Sequence, residues 1–401
     1  MELLYVNNNN SSMNFENTAS LLAVSSELFS KSDIITLPSN VKFDYQDVVT
    51  VMLHAATSST NSLESASNDL ISKNPTQKIP SADTIFQYIK YNNVEDILHK
   101  FRNMSFDIYK MMKLENTVQD IAIDFHDIPY YGDKNGAGLR GIKPKNGTSW
   151  GRSFCTLDII GKNKLTLDVI DINGLCKNYS ILIESLIERV GKIGVKIGTV
   201  FMDREFFNLD VISELDNQKV DYVIAAKSNK RIKRMLEEHE KKYGKCSTVL
   251  EYKFRKRGPT FNIVAMYGKE KGYVLFATNK KMLSSEKFIK NVPEEYKKRW
   301  NIETGYRVKN DFKIRTCTVS PVARALFFVI QCIMYNILNM LKSVLKITAY
   351  ELKSSINEEI IKILRYGFKS LSRVSVQLFL DCFKTYNREQ KRVLRKRLMK
   401  I

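Results

Sequence analysis

The 401-residue chain reads as a mixed α/β fold, with a sheet-bearing region set between helical ones. Three observations predict it. From Asp44 to about Leu114, apolar side chains recur at helical spacing. From Val118 the pattern shortens to runs rich in β-branched and aromatic residues. Near Pro293 the helical pattern resumes and holds through most of the C-terminus. The expected divisions are a helical region at 1–115, a sheet-bearing region at 116–345 with a β-rich insertion at about 228–290, and a basic helical region at 346–401.

The Asn- and Ser-rich start, residues 1–40, is expected to be loosely ordered, with a short helix near Ala19–Ser30. Val48, Val51, Met52 and Ala55 mark the first strong helical stripe. A second short helix fits Ser62–Ile71, and Pro75 and Pro80 punctuate the turn after it. Ser81 then caps a third, with Ile85, Tyr88 and Ile89 inward. Two such helices across a turn suit either a helix-turn-helix contacting DNA or an ordinary bundle.

Five strand-like runs follow: DIAIDF, SFCTLDII, LTLDVIDI, VKIGTVFMD and DYVIAAK. The first three are expected to pair as a meander. Helices at Asn178–Val190 and Glu205–Gln218 separate the later runs and imply parallel pairing. A basic helix after Lys227 leads to TVLEYKF, TFNIVAMY and GYVLFATN, which form the β-rich insertion. Ala325–Leu341 is strongly apolar, but it is shorter than the roughly 20 residues a span needs and contains Gln331, Asn336 and Asn339. It is expected to be a buried core helix, with no membrane partner.

Composition narrows the function. Lys plus Arg number 63 against 43 Asp plus Glu, a formal net charge of +20, which favours a polyanionic partner. The six Cys are scattered singly, with no CxxC pair and no zinc spacing. MELLYVNNNN lacks the basic start and apolar core of a secretory signal. A reducing cytoplasm is the expected setting. The stretch from Lys384 carries eight basic residues against Glu389 alone, Arg392 and Arg395 among them. It suits either a phosphate-backbone contact or a solvated basic helix. The run Lys227–Arg234 has the same two readings.

Three acids stand out. Asp203 follows Val200-Phe201-Met202, where an acid at a strand's carboxyl end faces a cleft or simply caps the next helix. Asp124 lies within an apolar strand and shares a face with His126. A carboxylate there is costly unless it is paired or binds a metal. Asp127 is its nearest rival, and Asp158, Asp168 and Asp171 are weaker ones; His126, as a lone histidine, is expected to be structural. Glu303 shares a helix stripe with Tyr296 and Arg299, and Asn310 falls close to it. Such a stripe suits a phosphate held beside a metal, or a plain Arg299–Glu303 ion pair worth about 0.3–0.5 kcal/mol. Trp300 is expected in the core, with base stacking as the other reading.

The ordered set Asp124, Asp203 and Glu303 resembles the catalytic acids of DDE transposases of insertion sequences. Tyr296-x2-Arg299-x3-Glu303 resembles the Tyr-Arg-Glu-Lys signature of one large group of them. The resemblance covers roughly residues 118–345 and implies a ribonuclease H-like catalytic core. It implies metal-binding and catalytic roles for the three acids, and DNA contacts for Tyr296 and Arg299. The signature Lys falls on Asn310, with Lys309 adjacent and Lys313 one turn on as substitutes. Glu205 stands where the group commonly has a small residue. The activity implied is cleavage at terminal repeats and strand transfer into double-stranded DNA, with two Mg²⁺ ions, Mn²⁺ as a substitute, and a homodimer bridging two ends. A nuclease on the same fold and an inactivated, DNA-binding transposase are the alternatives.

Overall fold

The computed structural model describes residues 33–366, apart from 60, 137, 173–177, 255–257, 271, 282–283 and 343–346. The expected helix near Ala19–Ser30 and the basic stretch holding Arg392 and Arg395 lie outside the described residues. The described chain divides into two compact units. One is helical and comprises residues 33–114 and 305–366; the other, Glu115–Thr304, carries the sheet.

The helical unit begins with α1 (Tyr45–Thr57), α2 (Leu63–Lys73), α3 (Ala82–Ile89) and α4 (Val94–Met111). Each starts at a short polar residue, Asp44, Ser62, Ser81 and Asn93, whose side chain accepts from an otherwise orphaned N–H. Its core is α10 (Pro321–Lys342), which packs on α4 and α3. Phe327 meets Phe86 edge-on at 6.1 Å, and buried Asn336 donates to Ser105 at 3.2 Å. By length and composition α10 could cross a membrane, yet nearly all of it is buried here. Its apolar surface packs with the N-terminal helices, and by contacts the segment from Gly305 groups with them. Helix α11 (Ala349–Tyr366) packs on α1.

The sheet unit holds nine strands. They are β1 (Val118–Pro129), β2 (Arg140–Lys145), β3 (Thr148–Ile159), β4 (Leu165–Ile172), β5 (Lys196–Met202), β6 (Asp221–Ala225), β7 (Thr248–Lys253), β8 (Thr260–Gly268) and β9 (Gly272–Thr278). Their order is β2-β3-β1-β5-β6-β9-β8-β7, with β4 also on β3. Strands β1, β5 and β6 are parallel; the other pairings are antiparallel. Helices α5 (Tyr179–Lys192) and α6 (Leu209–Asn217) make the crossovers, capped by Asn178 and Asn208.

One feature departs from the sequence-based reading. Strand β2, RGIKPK, adds an edge that apolar patterning could not reveal, because most of it is exposed and it contains Pro144. The β-rich insertion follows α7 (Lys230–Tyr243). Its strand β9 pairs with β6, so the central sheet continues through it. Helix α8 (Ser285–Tyr296) starts at the Ser284 cap, ahead of Pro293, which sits inside it. A 3₁₀ turn, Lys297–Arg299, joins it to α9 (Trp300–Asn310). Helix α9 starts in the sheet unit and continues into the helical unit at Gly305.

Candidate active site

Register alone brings the first two acids together. Ile121, Ala122 and Ile123 of β1 lie opposite Val200, Phe201 and Met202 of β5. The next step along both strands is Asp124 beside Asp203, whose backbone is still extended at φ −79° and ψ 175°. Neighbouring strands run about 4.8 Å apart, and in-register residues of parallel strands share a face. Strand β5 ends at Met202, whereas β1 runs on to Pro129 paired with β3. Asp124 therefore stands where β1 loses its β5 neighbour, at the carboxyl end of the parallel strands.

Asp203 also caps the 3₁₀ turn Arg204–Phe206, its Oδ1 accepting from the Glu205 N–H at 2.7 Å. The capping reading of this residue holds. Helix α6 starts later than expected, at Leu209, because this turn intervenes.

The third acid comes from the α8–α9 segment, which three contacts fasten to the central strands. The Tyr296 hydroxyl donates to the Met202 carbonyl at 3.1 Å, immediately before Asp203. Lys298 Nζ lies 2.7 Å from Asp120 Oδ2 on β1. Asn301 donates to the Ile160 carbonyl at 2.9 Å and accepts from Lys164 at 3.0 Å. So held, Arg299 sits between two acids. Its Nη1 is 3.2 Å from Asp124 Oδ2 and its Nη2 2.5 Å from Glu303 Oε1.

Charge balance in this cluster is unusual. Burial pushes the Asp124 carboxyl up to about 7; Arg299 and the Phe125 N–H oppose this, and Asp203 and Glu303 reinforce it. Burial likewise pushes the Tyr296 hydroxyl up to about 12. Arg299 is only 12 % exposed. Burial works against its charge, but Tyr296, Asp124 and Glu303 outweigh it and hold its pKa above the ordinary value. Two carboxylates, those of Asp124 and Glu303, share one guanidinium, and among the described residues no cation forms an ion pair with Asp203.

Among the described residues no three acidic, His or Cys side chains stand in ligating geometry around a metal position. The donor chemistry nonetheless fits a divalent cation. Three oxygen-donor carboxylates come from distant segments, and burial, reinforced by the Asp203 and Glu303 charges, raises the Asp124 pKa, a cost that a bound cation would offset.

The rival acids are occupied elsewhere. Asp158 is buried and accepts from Thr156 and Thr166, each at 2.6 Å. Asp168 lies 3.6 Å from Arg189, and Asp171 pairs with Arg152. Asp127 accepts from Ser153 and lies 3.9 Å from Arg140. His126 is half-buried opposite Phe154.

Two expectations fail. Trp300 is 58 % exposed rather than in the core. Its place follows from the 3₁₀ turn, which ends the α8 stripe before Trp300. Lys309, expected to contact DNA, is 1 % exposed, its ammonium 4.6 Å from the Tyr306 ring and 5.0 Å from that of Tyr335. Such cation–π stacking makes it part of the helical core. Gly305 permits the close approach, since a Cβ there would meet the Tyr335 hydroxyl at 3.0 Å. Tyr296 is half-buried, with its hydroxyl donating to the Met202 carbonyl. Asn310 is exposed and Lys313 half-buried.

A bracket beside Asp203 had no sequence signal. Glu205 accepts from the Tyr179 hydroxyl at 3.1 Å, and Arg140 of β2 lies 3.8 Å from it. Arg140 also stacks on Phe125 at 5.1 Å, and Phe125 stacks on Phe206 at 4.6 Å. The turn that follows Asp203 is thus held from β1, β2 and α5.

A large mixed sheet with acids at adjoining parallel-strand ends, flanked by helices, defines a ribonuclease H-like fold of the transposase kind. The chain belongs to the transposase DDE domain family, whose pattern it matches over residues 119–337. It is also similar in structure to piggyBac transposase, solved by cryo-electron microscopy as a synaptic complex with hairpin DNA. The TM-score is 0.58 at 12% identity, over 93% of this chain and 86% of that one, and at this identity the likeness is one of fold. Comparison with curated protein sequences found no match.

Proposed function

We propose that this protein is the DNA transposase of an insertion sequence, which cuts phosphodiester bonds at the element's terminal repeats and joins the freed ends to target DNA. One observation carries the reading: Asp124 and Glu303, from distant segments, share the Arg299 guanidinium, and the Asp203 charge lies close enough to raise the Asp124 pKa. Like charge is concentrated this way when cations or reacting groups are to be received.

The three carboxylates would hold divalent ions, Mg²⁺ by preference for all-oxygen donors, with Mn²⁺ able to substitute. A pair of such ions supplies an activated oxygen nucleophile and charge stabilisation at the leaving oxygen. The chain's own residues do the rest. Tyr296 fixes the end of β5 and so the position of Asp203. Arg299 offers a two-pronged phosphate contact that Lys could not reproduce. Exposed Lys297 and Lys298 lie on the same turn, and the exposed Trp300 indole is free to stack on a base. Two copies acting together would bridge the two ends of the element.

The test is incubation of the purified protein and Mg²⁺ with DNA that flanks its coding region. Wild type should give end cleavage and a joined product. Asp124→Asn, Asp203→Asn and Glu303→Gln should each lose at least about 10³-fold in rate, or about 4 kcal/mol of barrier. Cleavage without joined product would indicate a nuclease. Full activity in Asp203→Asn would overturn the site.

A further inference from the structure

We propose that Arg299 is a built-in counter-ion for the acid cluster, one that incoming divalent cations displace from Asp124 and Glu303 and so release toward the DNA backbone. The inference rests on the metal-dependent reading above and adds an order of events to it.

Geometry supports it first. The oxygens that Arg299 engages, Asp124 Oδ2 and Glu303 Oε1, belong to two of the carboxylates expected to bind metal. A guanidinium and a divalent ion cannot share those lone pairs without placing like charges in contact. While Arg299 spans both acids, no ligating cluster exists among the described residues. The side chain that partly balances the site thus occupies oxygens that an ion would need.

Hydrogen bonding supports it next. Arg299 is deeply placed, yet its Nε is buried with no acceptor. A guanidinium carries five donors in a fixed fork, and a buried donor left unpaired is costly. The present position therefore satisfies Arg299 incompletely, whereas phosphate oxygens would engage the fork in full. Its exit is short. Arg299 ends the 3₁₀ turn Lys297–Arg299, and on that turn Lys297 and Lys298 are already solvent-exposed. Once freed, the guanidinium would join two cations on one surface. Ion entry and capture of the DNA backbone would then be linked through one side chain. By thermodynamic reciprocity DNA should tighten ion binding as much as ions tighten DNA binding.

The experiment uses the full chain. Mn²⁺ binding is followed by the electron paramagnetic resonance signal of the free ion, for wild type, Arg299→Gln, Arg299→Lys and Asp203→Asn. Without its competitor, Arg299→Gln should bind Mn²⁺ at least about tenfold more tightly than wild type, although its affinity for end DNA falls. Arg299→Lys should lie between the two. The metal-free Arg299→Gln protein should melt lower than wild type and gain more from Mn²⁺. A second measurement needs no variant to fold: in wild type labelled with ¹⁵N-arginine, one Nε–H resonance should move on adding Mg²⁺, and Arg299→Lys, where it folds, assigns it.

Unchanged or weaker Mn²⁺ affinity in folded Arg299→Gln would overturn the counter-ion role, as would an Nε–H spectrum indifferent to saturating Mg²⁺. If wild type binds no Mn²⁺, or Asp203→Asn binds it equally well, the metal-dependent reading fails and takes this one with it.

Discussion

One polar cluster in the helical unit and one in the sheet unit are built on opposite principles. In the helical unit, His54 places Nε2 2.8 Å from Asp69 Oδ2 and Nδ1 3.0 Å from Asn357 Oδ1. Thr57 donates to that same oxygen at 2.6 Å, and Asn357 donates back to the Thr57 carbonyl at 2.9 Å. Lys73 lies 2.7 Å from Asp69, so its charge is balanced. These groups lock α1, α2 and α11 together. In the sheet unit, Asp124 and Glu303 share one guanidinium, Asp203 has no ion-pair partner among the described residues, and burial pushes Asp124 up to about 7. The first cluster is complete in itself. The second lacks positive charge, and that deficit marks a working site, because folding stability alone would favour its removal.

The largest contrast to test is the response to Asp124→Asn and His54→Ala. Asp124→Asn should abolish cleavage and at the same time stabilise the metal-free protein. The sign follows from linkage. The folded carboxyl titrates near 7 and the unfolded one near 3.8, so the folded state holds the extra proton between them. Stability therefore falls as pH rises from about 4 to about 7 and levels off above, a loss of about 2–4 kcal/mol. Denaturant melts of the metal-free protein across that range should show the slope, and Asp124→Asn should flatten it.

His54 should act in the opposite sense. Burial holds its pKa below the usual 6.5, against the pull of Asp69. The unfolded state takes up a proton first, so this group's contribution is lost as pH falls below about 6.5. His54→Ala leaves Asp69 and Asn357 without their partner and should cost about 2–4 kcal/mol at neutral pH, read by urea melts. Mn²⁺ affinity should not change. A loss of Mn²⁺ binding in a folded His54→Ala protein would mean that the helical cluster is not self-contained.

The next contrast lies inside the sheet unit, between the acids and the bracket around Asp203. Glu205→Ala frees the Tyr179 hydroxyl and the Arg140 guanidinium, both near the protein surface. Exposed pairs contribute little, so stability should fall by less than about 1 kcal/mol. Cleavage should drop about three- to tenfold, because small misplacements of a catalytic group are costly. Glu205→Gln should restore most of it, since its amide oxygen still accepts from Tyr179. Equal losses in both variants would show that charge, rather than placement, is what Glu205 contributes.

What could be read from the sequence follows the range of each interaction. Ser62, Ser81 and Asn178 cap the helices they precede, because capping is decided within three residues. Asp124 and Asp203 were legible as acids out of keeping with their apolar strands, and the ordered set carried the fold with it. The contact of Arg299 with Asp124 was not legible. It joins residues 175 apart, and only the pairing of β1 with β5 and the three ties on α8 and α9 create it. Strand β2 was hidden for a different reason: an exposed edge has no apolar face to betray it. The exposure of Trp300 and the burial of Lys309 went against residue type for a shared reason. One 3₁₀ turn and Gly305 set where the stripes of α9 point, and periodicity assumes an unbroken helix.

The smallest expected effect separates the two units most cleanly. Lys309→Met replaces a buried ammonium, stacked between Tyr306 and Tyr335, by an apolar chain of similar length. A phosphate contact would show as a smaller salt dependence of DNA binding, by about one unit in the log–log slope. Burial predicts no such change: affinity for end DNA should stay within about twofold at every salt concentration. Trp300→Ala is the matched control from the exposed side of the same helix. It should leave the melting curve nearly unmoved and weaken DNA binding by about 1–3 kcal/mol if the indole stacks on a base. Reversal of that pattern, with Lys309 governing DNA affinity and Trp300 governing stability, would place the DNA-facing side of α9 opposite to where the acid cluster requires it.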